Sequence, residues 1–172
     1  LEDRYKTGVQ FAEDLAVALA ALEQPDADLS EVQKLSLMAS LKFFADFSSD
    51  ELEEVLDEGS WDVHRAQTTI LEDGEVSESL YIILRGRVRV EKAGMCVVEL
   101  EPGDSFGELG YLEGLAEVGA VVPSERATVL RIKEPTKAWA SIPCQLRFNA
   151  RMQRTLAERL ATMTERVVEV HH

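Results

Sequence analysis

Residues 79–92 read SLYIILRGRVRVEK. Val88 and Val90 alternate with Arg87, Arg89 and Glu91, so a strand there buries one face and leaves the other in water. Similar short runs surround it: WDVHRA at 61–66, TTILEDGE at 68–75, MCVVELEPGD at 95–104, GAVVP at 119–123 and RATVLRIK at 126–133. They are rich in Val, Ile, Thr and aromatic residues, and Gly74, Gly86, Gly94 and Pro102-Gly103 punctuate them as turns between strands. Closely spaced antiparallel strands of this kind predict a barrel or a sandwich.

Helical periodicity flanks the strands on both sides. Over residues 7–23, Phe11, Leu15, Leu19 and Leu22 recur at helical spacing, and Gln24-Pro25-Asp26 ends the pattern. Ser30 with Gln33, and Ser48 with Glu51, read as capping boxes that open helices running to about Ala39 and Glu58. After Ser141 the helical period returns, and Met152, Leu156, Leu160, Met163 and Val167 form an apolar seam. Such a seam packs on the barrel or pairs with a second copy. The predicted fold class is α+β: an antiparallel β-roll, a jelly-roll-like barrel, between N-terminal helices and one long C-terminal helix. Residues 1–24 are predicted to be a helical extension and residues 30–168 the barrel domain. His171-His172 resembles the remnant of a purification tag, and the abrupt Leu1-Glu2 start suggests a fragment of a longer protein.

A chain of 172 residues, 45% hydrophobic, suits one such domain with extensions. Its formal charge of -14 repels phosphate backbones and no basic stripe offsets it, so nucleic acid is not an expected partner. No run reaches the ~18 apolar residues of a membrane span, and no secretory signal opens the chain; a cytoplasmic protein with no membrane partner is expected. Cys96 and Cys144 are far apart with no CxxC spacing and read as ordinary thiols. His64 is the one histidine outside the C-terminal pair, which argues against a metal-dependent barrel enzyme. Trp61 and Trp139 read as packing anchors. Arg147, Arg151, Arg154, Arg159 and Arg166 are assigned to the solvated face of the last helix.

The chemistry lies in FGELGYLEGLAEVGAVV, residues 106–122, which hold three carboxylates and no Lys or Arg. Gly107 permits a close backbone approach, and the amides of Gly107, Glu108 and Leu109 would open a short helix whose start favours an anion.

FFADFSSDELEEV at 43–55, ILEDGEVSESLYIILRGRVRV at 70–90, LEPGDSFGEL at 100–109 and the trailing helix together resemble the cyclic nucleotide-binding domain family over residues 37–165. The resemblance implies cyclic AMP or cyclic GMP as ligand and no further cofactor. It implies that Gly107, Glu108 and Leu109 hold phosphate and ribose, with Glu108 accepting from the sugar hydroxyl, and that the final helix closes over the base. The family's cassette carries an arginine that falls here on Glu117, so a cassette degenerate toward its ordinary ligand is expected. In a second register, ERATV at 125–129 makes Arg126 the phosphate ligand.

FFADFS with CQLRFN at 144–149 resembles the variety of this domain appended to bacterial serine/threonine kinases, and LEDRYKTGVQFAEDLAVAL at 1–19 is similar to the last helical segment of those kinases. The partners this implies are the kinase catalytic domain of the same chain and a second copy through the C-terminal helix. The glycine loop, strand lysine, HRD and DFG features of phosphoryl transfer are absent from these residues, so they are not expected to be an enzyme. Three readings stand open: a regulatory domain with a degenerate cassette, a scaffold or dimerisation module that binds no nucleotide, and a true cyclic nucleotide sensor using Arg126.

Overall fold

The computed structural model describes residues 29–133 and 140–170, with side chains to Glu165. The helix predicted over residues 7–23, Trp139 and His171-His172 lie outside the described residues.

Both capping boxes form. Helix α1 (Glu31–Ser40) is opened by Ser30 and Gln33, and helix α2 (Ser49–Glu58) by Ser48 and Glu51. In α2 the Ser48 amide donates to Glu51 Oε2 at 2.8 Å and the Glu51 amide to Ser48 Oγ at 3.3 Å, satisfying two amides that a helix start leaves unpaired. A 3-10 turn over Lys42–Phe44, which the apolar period did not signal, joins the two helices. It places Phe43, Phe44 and Phe47 in edge-to-face contact with one another and with Phe148.

Among the described residues seven antiparallel strands follow: β1 (Ser60–His64), β2 (Ser79–Arg85), β3 (Val88–Lys92), β4 (Met95–Leu100), β5 (Ser105–Phe106), β6 (Ala120–Pro123) and β7 (Ala127–Lys133). Helix α3 (Glu108–Glu113) lies between β5 and β6, and helix α4 (Ile142–Val170) closes the chain. The strands form one sheet in the order β1-β7-β2-β5 and another in the order β4-β3-β6. The predicted roll is therefore present, with helices before it and one long helix after it.

One predicted run behaves differently. TTILEDGE makes a single bridge, Leu71 to Val121, and no ladder. Its backbone turns at Gly74, and its remaining polar groups pair outside any ladder: the Gly74 amide donates to the Glu117 carbonyl at 3.0 Å, and the Glu117 amide to the Glu75 carbonyl at 2.8 Å. What was read as a strand is thus the clip that fixes the backbone of Glu117.

Helix α4 lays only the first part of its predicted seam on the domain. Cys144, Phe148 and Met152 are fully buried against the helical core. Further along, Leu160 is 67% and Met163 39% exposed, so the apolar packing of α4 on the domain ends near its middle. Among the described residues no helix is long and apolar enough to cross a membrane.

Glu51 connects the first helices to α4: its carboxylate caps α2 and accepts from Arg147 Nε at 3.0 Å. Burial raises the Glu51 pKa, but the Ser48 amide and Arg147 outweigh it, and the net shift is downward. A lowered carboxylate pKa stabilises the fold above the unfolded value, and that contribution disappears as pH falls through the folded value. Replacing Glu51 with Ala should cost on the order of 1–2 kcal/mol at neutral pH, most of it from the cap because Arg147 is half-exposed. In urea titrations the gap between Glu51→Ala and the parent should narrow as pH drops below about 4.5, the ordinary value. A gap that is flat with pH would mean that the carboxylate charge contributes nothing.

Candidate functional site

The site is assembled on strand β2. Strand β5 pairs with it, Phe106 opposite Tyr81 and Ser105 opposite Ile82, and the rings of Phe106 and Tyr81 stack 4.8 Å apart, only 3° from parallel. The chain then turns at Gly107, whose φ of +86° disfavours L side chains and whose added Cβ would lie 2.5 Å from the Ser79 carbonyl oxygen. Helix α3 starts there. A Cβ on Gly110 would come within 2.0 Å of the Ser77 carbonyl, so α3 lies directly on the backbone of residues 77–79.

Glu108, in the first turn of α3, is buried at 4% exposure. Its Oε1 accepts from the Ser105 hydroxyl at 2.5 Å. Its Oε2 faces Arg159 of α4, with Nη1 at 3.5 Å, and Arg159 Nη2 donates to the Ser105 carbonyl at 2.6 Å. The Leu109 side chain points outward and is part of an exposed apolar rim with Leu112, Leu115 and Val118; its amide remains in the first turn, where it was expected.

Glu117 enters the same cluster. Its main chain is held by Gly74 and Glu75, its side chain is half-buried, and its Oε1 is buried with no hydrogen-bond partner. The pKa of this carboxyl is raised: burial is the largest cause, and the Glu108 and Glu75 carboxylates add to it, while a hydrogen bond from the Gly110 amide and the nearby Arg159 work in the opposite direction. Glu117 therefore sits beside the amide end of α3, in contact with a group that would otherwise be free to meet an anion.

The structure brings Gly107, Glu108, the Leu109 amide and Glu117 together, and it leaves Arg126 apart. Arg126 is exposed in the turn between β6 and β7, its carbonyl against Gly86 at the far end of β2 from Gly107. At ~3.3 Å per residue the two ends of that strand are roughly 20 Å apart. The second register, with Arg126 as phosphate ligand, has no geometric support.

The residue that sequence reasoning missed is Arg159. It was assigned to the solvated face, yet its side chain is only 23% exposed and it reaches the cassette. The signal was available in its spacing, because Arg159 lies seven residues after Met152 and eleven after Phe148, on the stripe that faces the domain. Among the described residues no group of three His, Cys, Asp or Glu side chains is placed to hold a metal ion.

Residues 62–136 match the family model for the cyclic nucleotide-binding domain. The chain is 30% identical over 123 residues to the cAMP-dependent protein kinase regulatory subunit of Eremothecium gossypii, covering 60% of this chain and 26% of that one. A cyclic nucleotide-binding domain from Methylobacillus flagellatus shares the fold at a TM-score of 0.69 and 20% identity, over 79% of this chain and 81% of that one. The regulatory subunit of a cAMP-independent protein kinase A from Trypanosoma brucei aligns at a TM-score of 0.60 and 26% identity, over 70% of this chain and 43% of that one. The chain spans about a third or less of the length of the curated relatives it matches. Residues 62–136 thus carry the match to the cyclic nucleotide-binding domain family, on a fold shared with the Methylobacillus flagellatus domain.

Proposed function

We propose that this chain is the regulatory module of a bacterial serine/threonine protein kinase and that its cassette no longer accepts cyclic AMP or cyclic GMP. One observation carries the second half of this reading: the Glu117 carboxylate stands beside the Gly110 amide and the buried Glu108. Two carboxylates face one guanidinium, and that guanidinium is already engaged by Ser105 and Glu108. A cyclic phosphate would bring a further negative charge to a cluster where carboxylates already outnumber the guanidinium. At ~4 Å and an effective dielectric of ~20, a unit pair interacts by roughly 4 kcal/mol, and each ~1.4 kcal/mol is a factor of ten in affinity.

The kinase context is supported by the resemblance of residues 1–19 to the end of a kinase domain and by the regulatory-subunit relatives. That one of these belongs to a cAMP-independent kinase is consistent with a domain of this fold regulating without that ligand. In this reading residues 1–24 connect the barrel domain, residues 30–168, to a catalytic domain in the same cytoplasmic chain. A second role, self-association through α4, is favoured by the exposure of Leu160 and Met163 on one side of that helix.

Calorimetric titration with cyclic AMP and cyclic GMP tests the ligand reading. No heat of binding is expected at 1 mM nucleotide, and micromolar binding by the parent protein would overturn the proposal. Glu117→Arg restores the missing cation and should bring affinity up at least about a hundredfold, into a measurable range.

The raised Glu117 pKa provides a second check. A carboxyl with a raised folded pKa stabilises the fold fully below its unfolded value and loses that contribution as pH rises through the folded value. Glu117→Gln should therefore be more stable than the parent at pH 7–8, with the difference closing as pH falls toward about 4.5, the ordinary value. Equal denaturant midpoints across that range would place Glu117 in solvent and remove the electrostatic argument.

A further inference from the structure

The long helix is attached to the domain by two different kinds of contact. Its first half is anchored by buried Cys144, Phe148 and Met152. Past Met152 the apolar burial thins: Leu156 is partly buried, and Leu160 and Met163 are exposed. A cavity of about 310 Å³ lies between the helix and the outer sheet, lined by Val98, Leu100, Thr155, Arg159 and Thr162 among others. The helix does not pack tightly over this space. What ties it down there is Arg159, through 2.6 Å to the Ser105 carbonyl and 3.5 Å to Glu108 Oε2.

These groups belong to the cassette itself. Ser105 and Glu108 flank Gly107, and the hydroxyl and carboxylate are already bonded to each other. With Arg159 on its second oxygen, both oxygens of Glu108 are engaged without any ligand. Glu117 adds negative charge next to Arg159 and accepts from the Gly110 amide. A charge-assisted contact in so buried a place is stronger than its surface counterpart, and because it is localised in one side chain, its loss would free half a helix.

We propose that Arg159 is a positioning residue that holds the second half of α4 closed on the cassette in place of a ligand, with the Glu108 carboxylate and the Ser105 carbonyl as its built-in partners. The domain is then closed at rest. In an ordinary two-state module the ligand supplies the free energy that favours one helix position; here the chain's own side chains supply it. The change of cation to carboxylate at position 117 thereby gains a purpose, since an arginine there would repel Arg159 and open the helix. This inference rests on the reading that the cassette takes no cyclic nucleotide.

Hydrogen–deuterium exchange of the 172-residue chain, followed in peptides covering residues 156–165, tests it. In the parent protein these amides should exchange slowly, at a rate that 1 mM cyclic AMP leaves unchanged. Arg159→Gln should speed them on the order of tenfold, while peptides of α2 and β2 remain unchanged. Arg159→Lys, which keeps the charge and one donor, should lie between the two. Arg154→Gln, on the same helix but 65% exposed, should match the parent. Glu117→Arg should exchange fast alone and slow down when cyclic AMP is added, a ligand dependence that a merely structural role for Arg159 would not produce.

Fast exchange in the parent, or equal effects of Arg154→Gln and Arg159→Gln, would overturn the latch. Glu117→Arg that exchanges slowly without nucleotide would do so as well. Failure of the underlying reading looks different, because the parent itself would then bind cyclic AMP in the calorimeter.

Discussion

Strand β2 is shared between two cores, and the rest of the molecule depends on that arrangement. Leu80, Ile82 and Leu84 face the cluster made with the first helices and α4, while Tyr81 and Ile83 face the interior of the roll. Each fully buried side chain of this size contributes about 1.5–3 kcal/mol of transfer free energy, so this one strand couples the helical layer to the barrel. Its main chain pairs with β7 on one side and β5 on the other. The cassette follows β5 and returns to the start of the same strand, where Gly107 meets Ser79 and Tyr81. A shift of β2 by one residue would exchange the two cores and misplace the cassette together with them.

The electrostatics of the site follow from this rigid placement. Glu108 cannot leave, because it lies in the first turn of a helix that rests on the backbone of residues 77–79. Glu117 cannot leave either, because Gly74 and Glu75 hold its main chain. Two carboxylates fixed at close quarters in partly dry surroundings require either protonation or a counter-charge. The raised pKa of Glu117 marks a shift toward the first, and the contact of Arg159 with Glu108 supplies the second. In a chain of net charge -14 an arginine drawn inward is a local necessity, and the helix that carries it is drawn in as well.

Much of the fold was legible because local signals agreed with the tertiary outcome. The alternation at Val88 and Val90, the two capping boxes and the return of helical period after Ser141 all lie where the elements form. The run SLYIIL did not alternate for a physical reason, since both faces of β2 are buried. Where the reading failed, a non-local contact decided. TTILEDGE has strand composition, but its polar backbone groups are claimed by Glu117 and Val121 across the fold. Arg159 was placed in water because composition alone assigns arginine there, whereas its register on α4 puts it on the buried stripe. The seam from Met152 onward looked continuous in sequence, yet the domain beneath it ends partway along.

The FGEL motif is demanded by packing as well as by any ligand. Gly107 and Gly110 would each bring a Cβ to within 2.5 Å or less of a carbonyl oxygen, in Ser79 and Ser77 respectively, and clashes with backbone are not relieved by a side-chain rotation. Phe106 is needed against Tyr81. Packing alone therefore demands both glycines and the aromatic, whether or not a phosphate ever arrives. The residue under no such close-packing demand is Glu117, whose side chain is only half-buried. The identity of that side chain bears on the ligand more directly than the motif does, and here it is a carboxylate at the position where the family resemblance implies a cation.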